Sequence, residues 1–550
     1  MSFPLYVLTS SAIAAVTMLA VLSLSSRRWL AVLAAFAGAI ALLLVHGPLY
    51  FDFYADDAYI TLRYSQHLAD GLGPNWNTEG RVEGYTTFLW MGTLAGLAKL
   101  GFDLVDASRV LGFLSLLATF FAVYRIWGLW GGEQPESGLR SPVLLAAVLL
   151  GLALTDGVAF WGFSGMETPL FMALLTWSAY LYLRERRGGR IPWSAFALAA
   201  TAMTRPEGLI AVGVTGLFVL YDAATSPDRR QAVARAVAWG GVFLAVYGSY
   251  FLWRYSYYDF LFPNTYYAKV GLNLAAIDRG LEHVTAAGLQ YQLGAMLVGL
   301  AVLATYTHLR RDAVYLLALT GVMLAAVVVE GGDTHARFIT PLLPLLFLGG
   351  LAGFATLLKR AALPRVQTLA VAALALALGG LALMPASQDA LLPFGRRSIE
   401  ERRQLGEWLN ENTPPHYVIA DFAIGATAYY AIDRDFLDMF GLNDVVIAHT
   451  EVPGMGSGIT GHEKYNVDYV YDEVRPEIIV VAQVRAEPLT AEELLQSIRE
   501  TSLLPASYLL LTDARLWRDY EVRALDIGGR WMHLLQRRDT VPDLQSPRLR

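Results

Sequence analysis

The chain is 550 residues long, 55% hydrophobic and only 16% charged. A soluble domain is about 45–50% apolar and about 25% charged, so the composition excludes an ordinary water-soluble enzyme. The formal net charge of −6 argues against nucleic acid as a partner, which calls for a basic face. The absence of cysteine excludes disulfides, a thiolate nucleophile and a Cys-based zinc site.

The charge is unevenly spread. Of the 90 Asp, Glu, Lys and Arg residues, 43 lie in 386–550, which makes that stretch as charged as a soluble domain. The chain therefore reads as a membrane body, 1–385, followed by a water-soluble domain, 386–550. A helix needs ~20 apolar residues to cross a bilayer. Candidate spans lie near 4–25, 29–49, 87–103, 107–127, 142–161, 167–183, 192–221, 236–254, 290–307, 313–330, 338–358 and 366–385. The expected fold class is an α-helical polytopic membrane protein of roughly 11–13 transmembrane helices with a C-terminal soluble α/β domain. The first apolar run lacks a basic n-region and a small-residue cleavage site, and reads as a retained helix.

Cytoplasmic loops carry an excess of Lys and Arg. The basic loops are Arg27-Arg28, the run Arg184, Arg186, Arg187, Arg190, then Arg229-Arg230, Arg310-Arg311 and Lys359-Arg360, and these are placed inside. Residues 50–86, 255–289, 331–337 and the tail then fall outside. Span 192–221 begins and ends inside only if it forms two short helices turning near Arg205-Pro206, where the proline favours a break. Between the outer loop and the basic run at 184–190 the count of spans is even, so either 87–103 or 142–161 is expected to be split or re-entrant.

The first outer loop opens Phe-Asp-Phe-Tyr-Ala-Asp-Asp-Ala-Tyr-Ile-Thr-Leu-Arg-Tyr over 51–64. Asp56 and Asp57 repel one another, more strongly at a membrane edge than in water, and acids at such a boundary are functional candidates. One could take the proton of an attacking hydroxyl; equally, both could be solvated acids marking a helix end. Leu62, Leu68 and the aromatics suggest a short helix in the interface, broken by Gly71, Gly73, Pro74 and Gly80.

The run Asp-Asp-Ala-Tyr-Ile-x-x-Arg-Tyr, then Gly-x-Gly-x-x-x-Asn, then Val-Glu-Gly-Tyr-Thr-x-x-Leu-Trp resembles a bacterial GT-C glycosyltransferase family. That family is similar to the mycobacterial terminal arabinofuranosyltransferases that extend cell-wall arabinan. It is more distantly similar to protein mannosyltransferases and the aminoarabinose transferases of lipid A. The resemblance implies that Asp56 is the catalytic base with Asp57 in support, and that Arg63, Glu83 and Tyr85 line the site.

Further stretches fit the same family. In Ser-Gly-Met-Glu-Thr-Pro (164–169), Glu167 sits at a helix start, where the macrodipole favours an acid; it is either a cap or site lining. In Thr-Arg-Pro-Glu-Gly (204–208), Arg205 and Glu207 interrupt an apolar run. Arg205 is either half of a structural ion pair or, by its planar donors, a phosphate ligand. In Pro-Asn-Thr-Tyr-Tyr-Ala-Lys (263–269), Asn264, Tyr266 and Lys269 are lining and phosphate candidates, against the alternative of an interfacial aromatic belt with a snorkelling lysine. In Glu-Gly-Gly-Asp-Thr-His-Ala-Arg-Phe-Ile-Thr-Pro (330–341), Asp333 and His335 are lining candidates and Arg337 a further phosphate ligand. The spacing there is neither that of a catalytic triad nor of a metal cluster.

In the tail, 398–411 reads as an amphipathic helix presenting Leu405, Trp408 and Leu409. Short apolar runs at 417–420, 436–440, 478–482 and 508–511 suggest a small α/β domain. Phe436–His449 and Gly461-His462-Glu463-Lys464 also resemble the family. The glycines of 453–466 suggest a mobile loop, in which His462 and Glu463 are either acceptor contacts or solvated.

The expected reaction is an inverting displacement from a polyprenyl-phosphate sugar, best fitted by D-arabinofuranose, onto a glycan or glycoprotein acceptor at the outer face of a bacterial inner membrane. No Walker or Rossmann glycine signature is present and no nucleotide is needed. No cofactor is fixed by the sequence; a divalent cation near the loop acids is found in some GT-C enzymes and not in others. A transferase of another lipid-linked sugar is the alternative. A secondary transporter is a more distant one, since no matching pair of broken helices is evident in the two halves.

Overall fold

The computed structural model describes residues 3–133, 139, 141–189, 191–269, 271, 274–360, 388–502, 504–540 and 548–549. The expected span at 366–385 and Arg190 of the basic run lie outside these. The chain folds as two compact units, 1–53, 108–252 and 277–392 forming one, and 54–107, 253–276 and 393–550 the other. The second unit thus joins the tail with the first outer loop and with a segment following Leu252, three stretches that the charge pattern places on one side of the membrane.

The first unit is helical. Among the described residues, seven helices are long and apolar enough to cross a membrane, or up to nine if each of two bent pairs is one span; the chain is a multi-pass membrane protein. The helix Pro142–Leu154 is apolar all round, and every residue in it is buried, as expected of a helix enclosed by others. It packs between Arg28–His46 and Leu343–Arg360.

Breaks in the helices follow local chemistry. Arg205 has extended backbone angles (φ −155°, ψ 144°) between Trp193–Thr204 and Gly208–Thr225, because a residue before proline is pushed out of the helical region. Pro142–Leu154 and Asp156–Phe163 meet at 60°, so of the two stretches expected to be split it is 142–161 that is broken. Phe88–Lys99 is a short helix of 12 residues in the second unit. A second bend, of 77°, separates Leu274–Gln290 from Leu293–Tyr306. Gln292, at φ 54°, carries the turn without the proline or glycine that would have marked it.

The second unit is built on a six-stranded sheet with order β2-β1-β3-β5-β4-β6. The strands are β1 Val418–Asp421, β2 Asp435–Asp438, β3 Ile478–Arg485, β4 Tyr520–Ile527, β5 Arg530–Arg537 and β6 Arg548–Leu549. β1 runs parallel to β2 and β3, and β5 antiparallel to β3 and β4. Gly528 and Gly529, both at positive φ, make the two-residue turn of the β4–β5 hairpin, which requires that conformation at both positions.

Alternate side chains of β3 serve opposite faces. Ile478 and Val480 join Ile60, Tyr64, Trp76, Leu405, Trp408 and Leu409 in one core. Ile479 and Val481 join Leu494, Ile498, Leu510 and Leu516 in another. The first-loop helix Asp56–Ala69 and the helix Gln388–Asn412 therefore supply one layer, and Ala491–Thr501, Pro505–Thr512 and Ala514–Asp519 the other. The apolar run at 508–511 lies in a helix that starts at Pro505.

Candidate functional site

Asp56 opens the helix Asp56–Ala69 and is partly buried, whereas Asp57 beside it is exposed. The Asp56 carboxylate reaches the seven-residue helix Ile424–Tyr430, which follows β1. Its Oδ1 accepts the Ala426 N–H at 2.8 Å and its Oδ2 the Gly425 N–H at 3.2 Å. These are amides that the helix itself leaves without partners. A Cβ at position 425 would stand 2.0 Å from the Asp56 carbonyl oxygen, so only glycine permits this approach. Burial pushes the Asp56 carboxyl up to about 6, against the opposing pull of Arg402 and the Ala426 amide and with the help of Asp57 and Asp421.

Arg402 and Asp421 stand behind this contact. Asp421, fully buried at the C-terminal end of β1, accepts from Arg402 Nη1 at 3.0 Å and from the Ala423 N–H at 3.1 Å. The same guanidinium donates to the Ala423 carbonyl at 2.7 Å and to Thr427 Oγ1 at 3.2 Å. Neither residue was singled out in the sequence, where nothing but a charge on the Gln388–Asn412 helix and an acid ending an apolar run marks them.

The other first-loop candidates are engaged in holding this unit together. Arg63, fully buried, stacks on Trp76 and Phe436 and donates to the carbonyls of Trp76, Ala428, Ala431 and Arg434. Glu83 receives Arg254 Nε on both oxygens, at 2.9 and 2.7 Å, and burial pushes its carboxyl up to about 7 despite Arg254. Arg254 had not been noticed, although a charge near the end of an apolar run is a signal of this kind. The Tyr85 hydroxyl lies 3.1 Å from that of Tyr258.

Two of the sequence signatures meet at Asn264. Its side-chain amide donates to the carbonyls of Gly441, Leu442 and Asp444, at 2.8, 3.0 and 3.1 Å. Tyr266 is exposed and stacks on Phe262 at 4.4 Å. Lys269 ends the helix Asn264–Lys269 and runs over Gly461, where an added Cβ would stand 3.1 Å from Lys269 Cε. In the same loop, Glu463 Oε1 accepts the N–H groups of Gly456 and Gly458, while His462 is exposed with its ring 4.9 Å from Phe440.

The first unit has a charge cluster of its own. Glu167 Oε1 accepts from Arg205 Nη1 at 2.6 Å and from Arg337 Nη2 at 2.9 Å. Arg205 also pairs with Glu207 at 2.6 Å, and Arg337 with Asp333 at 3.7 Å. Glu167 is 1% exposed, so its charge is balanced by the two guanidinium groups that it receives. A small cleft is lined by Phe171, Arg205, Glu207, Met323, Glu330 and Phe338 among others. His335, at φ 48°, accepts the Trp161 indole N–H through its carbonyl oxygen.

Among the described residues, no group of three or more His, Asp or Glu side chains is placed to hold a metal ion.

A helical membrane unit together with a unit bearing a small mixed sheet is a fold shared with solved structures of other proteins. ArnT from Cupriavidus metallidurans bound to undecaprenyl phosphate shares it with a TM-score of 0.54 at 12% identity, covering 93% of this chain and 98% of that one. The archaeal oligosaccharyltransferase AglB from Archaeoglobus fulgidus, in complex with an inhibitory peptide and a dolichol-phosphate, gives 0.50 at 10% identity, covering 80% and 69%. At these identities the likeness is one of fold.

In sequence, the chain resembles the terminal beta-(1->2)-arabinofuranosyltransferase of Mycobacterium tuberculosis, with 29% identity over 245 residues. That alignment covers 42% of this chain and 37% of the relative, so the chain spans little more than a third of the length of the curated protein it matches. Residues 395–535 match a domain family of unknown function (DUF8728).

Proposed function

We propose that this chain is a glycosyltransferase of a bacterial cytoplasmic membrane that moves a sugar from a polyprenyl-phosphate lipid to a glycan or glycoprotein acceptor at the outer face. D-arabinofuranose is the first candidate for the sugar. The observation that carries this reading is the Asp56 carboxylate, held in place by two amides with its proton affinity raised to about 6. A general base works best with a pKa near the operating pH. The undecaprenyl phosphate bound to ArnT and the dolichol-phosphate in complex with AglB support a lipid donor. The sequence similarity to the arabinofuranosyltransferase supports the sugar.

In this reaction the acceptor oxygen bonds to the anomeric carbon as the bond from that carbon to the phosphate oxygen breaks. The hydroxyl proton passes to Asp56, the electron pair leaves with the polyprenyl phosphate, and the configuration inverts once. Cations stabilise the charge that develops on the leaving phosphate, and Arg205, Lys269 and Arg337 are assigned that part. Both arginines now share Glu167.

The test is transfer in nanodiscs from synthetic polyprenyl-phosphoryl D-arabinofuranose to an arabinan-like acceptor, comparing wild type with Asp56→Asn. Product from wild type and none from the variant is expected. Equal product from both would remove Asp56 as base. No product from either would remove arabinofuranose, and other lipid-linked sugars would replace it in the same assay.

A further inference from the structure

We propose that Arg402, acting through Asp421 and the turn at Ala423, is a positioning residue for the Asp56 carboxylate, so that the segment 421–427 belongs to the catalytic apparatus. The inference rests on Asp56 being the base.

The geometry is a relay of fixed groups. Arg402 is bound at once to a carboxylate (Asp421), a carbonyl (Ala423) and a hydroxyl (Thr427). Asp421 in turn holds the Ala423 N–H. Both ends of residue 423 are thereby fixed, and residue 423 leads directly into the two amides that grip Asp56. A base contributes to rate only if its oxygen is held at the proper place relative to the hydroxyl it deprotonates. An acid on a loop has no such constraint; these amides, themselves anchored by a buried ion pair, supply it.

Charge points the same way. The ionisable groups facing Asp56 are Asp57 on its own helix, Asp421 at the end of β1, and Arg402 on the Gln388–Asn412 helix. Two acids disfavour the Asp56 anion and one cation favours it. Removal of Arg402 leaves Asp56 with like charges alone, and its protonation must move to higher pH.

The experiment is the pH dependence of kcat/KM for lipid-sugar transfer by the full chain in nanodiscs, for wild type, Arg402→Gln, Arg402→Lys and Thr427→Val. Arg402→Gln is expected to move the acid limb upward by about one pH unit, lowering kcat while KM for the lipid donor stays within about twofold. Arg402→Lys keeps the charge and returns the limb to its wild-type position at reduced rate. Thr427→Val moves the limb in the same direction by less.

A folded Arg402→Gln enzyme, judged by its tryptophan-fluorescence melting profile, with an unmoved limb would overturn the proposal. Should that variant fail to fold, Thr427→Val decides: an upward shift supports the relay and an unmoved limb overturns it. Loss of activity in Asp56→Asn with an unaltered Arg402→Gln profile refutes the positioning role alone. Full activity in Asp56→Asn refutes the base assignment beneath it.

Discussion

Asp56 and Arg63, two turns apart on one helix, take hold of opposite ends of another. The Asp56 carboxylate receives the N–H groups of Gly425 and Ala426, and the Arg63 guanidinium donates to the carbonyls of Ala428, Ala431 and Arg434. An anion at the N-terminus and a cation at the C-terminus complement the dipole of the clasped helix. The spacing of the two side chains matches because both helices rise by the same step per residue. The acid proposed as base and the arginine thought to line the site are thus two halves of one clasp.

Arg63→Lys is expected to destabilise the protein substantially, by roughly 3 kcal/mol, since charge-assisted hydrogen bonds contribute about 1.5–3 kcal/mol each. A lysine lacks the planar fork that spans several carbonyls, and it cannot stack on Trp76 as a guanidinium does. Burial pulls the Arg63 guanidinium down only to about 10, so it is charged at neutral pH. The thermal midpoint of the purified protein checks this; an unchanged midpoint would show that the clasp carries no stability.

The transfer rate should fall as the pH drops through about 6, because a base must be ionised to accept a proton and burial has raised Asp56 to that value. An ordinary solvated aspartate would place the limb near 4. A pH profile of kcat/KM separates the two, and a limb near 4 would count against Asp56 in the form described.

Glu167→Gln should lower stability more than Glu207→Gln. Glu167 is the shared ion-pair partner of Arg205 and Arg337, whereas Glu207 forms an ion pair with Arg205. Leaving buried charge uncompensated costs about 3–5 kcal/mol, and here two guanidinium groups lose the same partner. Melting curves of the two variants measured side by side give the order, and equal losses would show that Arg337 relies on Asp333 instead.

The helices were legible in the sequence because a bilayer demands long apolar runs, and the break at Arg205 because Pro206 announces it. The bend at Thr155 was narrowed to one of two stretches by counting spans between charged loops, and the bend at Gln292 has no such residue to announce it. β1, β2 and the parallel-paired part of β3 are buried on both faces, and so read as short apolar runs. β4 and β5, with sequences such as Tyr-Glu-Val-Arg-Ala-Leu-Asp-Ile, are too mixed to stand out.

The site was legible residue by residue but not as pairs. Glu167, Arg205 and Arg337 each stood out as a charge in or beside an apolar stretch, yet nothing local says that one carboxylate serves both arginines. Asp56 stood out by its motif. Arg402 and Asp421 did not, because their meaning depends on a strand and a helix brought to the first loop from far along the chain.

The three-segment make-up of the sheet-bearing unit has a consequence for biosynthesis. Residues 54–107 leave the ribosome early, but Ile60, Tyr64 and Trp76 pack against strands that end at Arg537. For most of translation that apolar face has no native cover, and Asp56 has no amides to grip. The apolar face of the first loop therefore waits uncovered at the membrane surface until the final strands arrive, and a chain truncated before residue 425 would lack the amides that hold its proposed base.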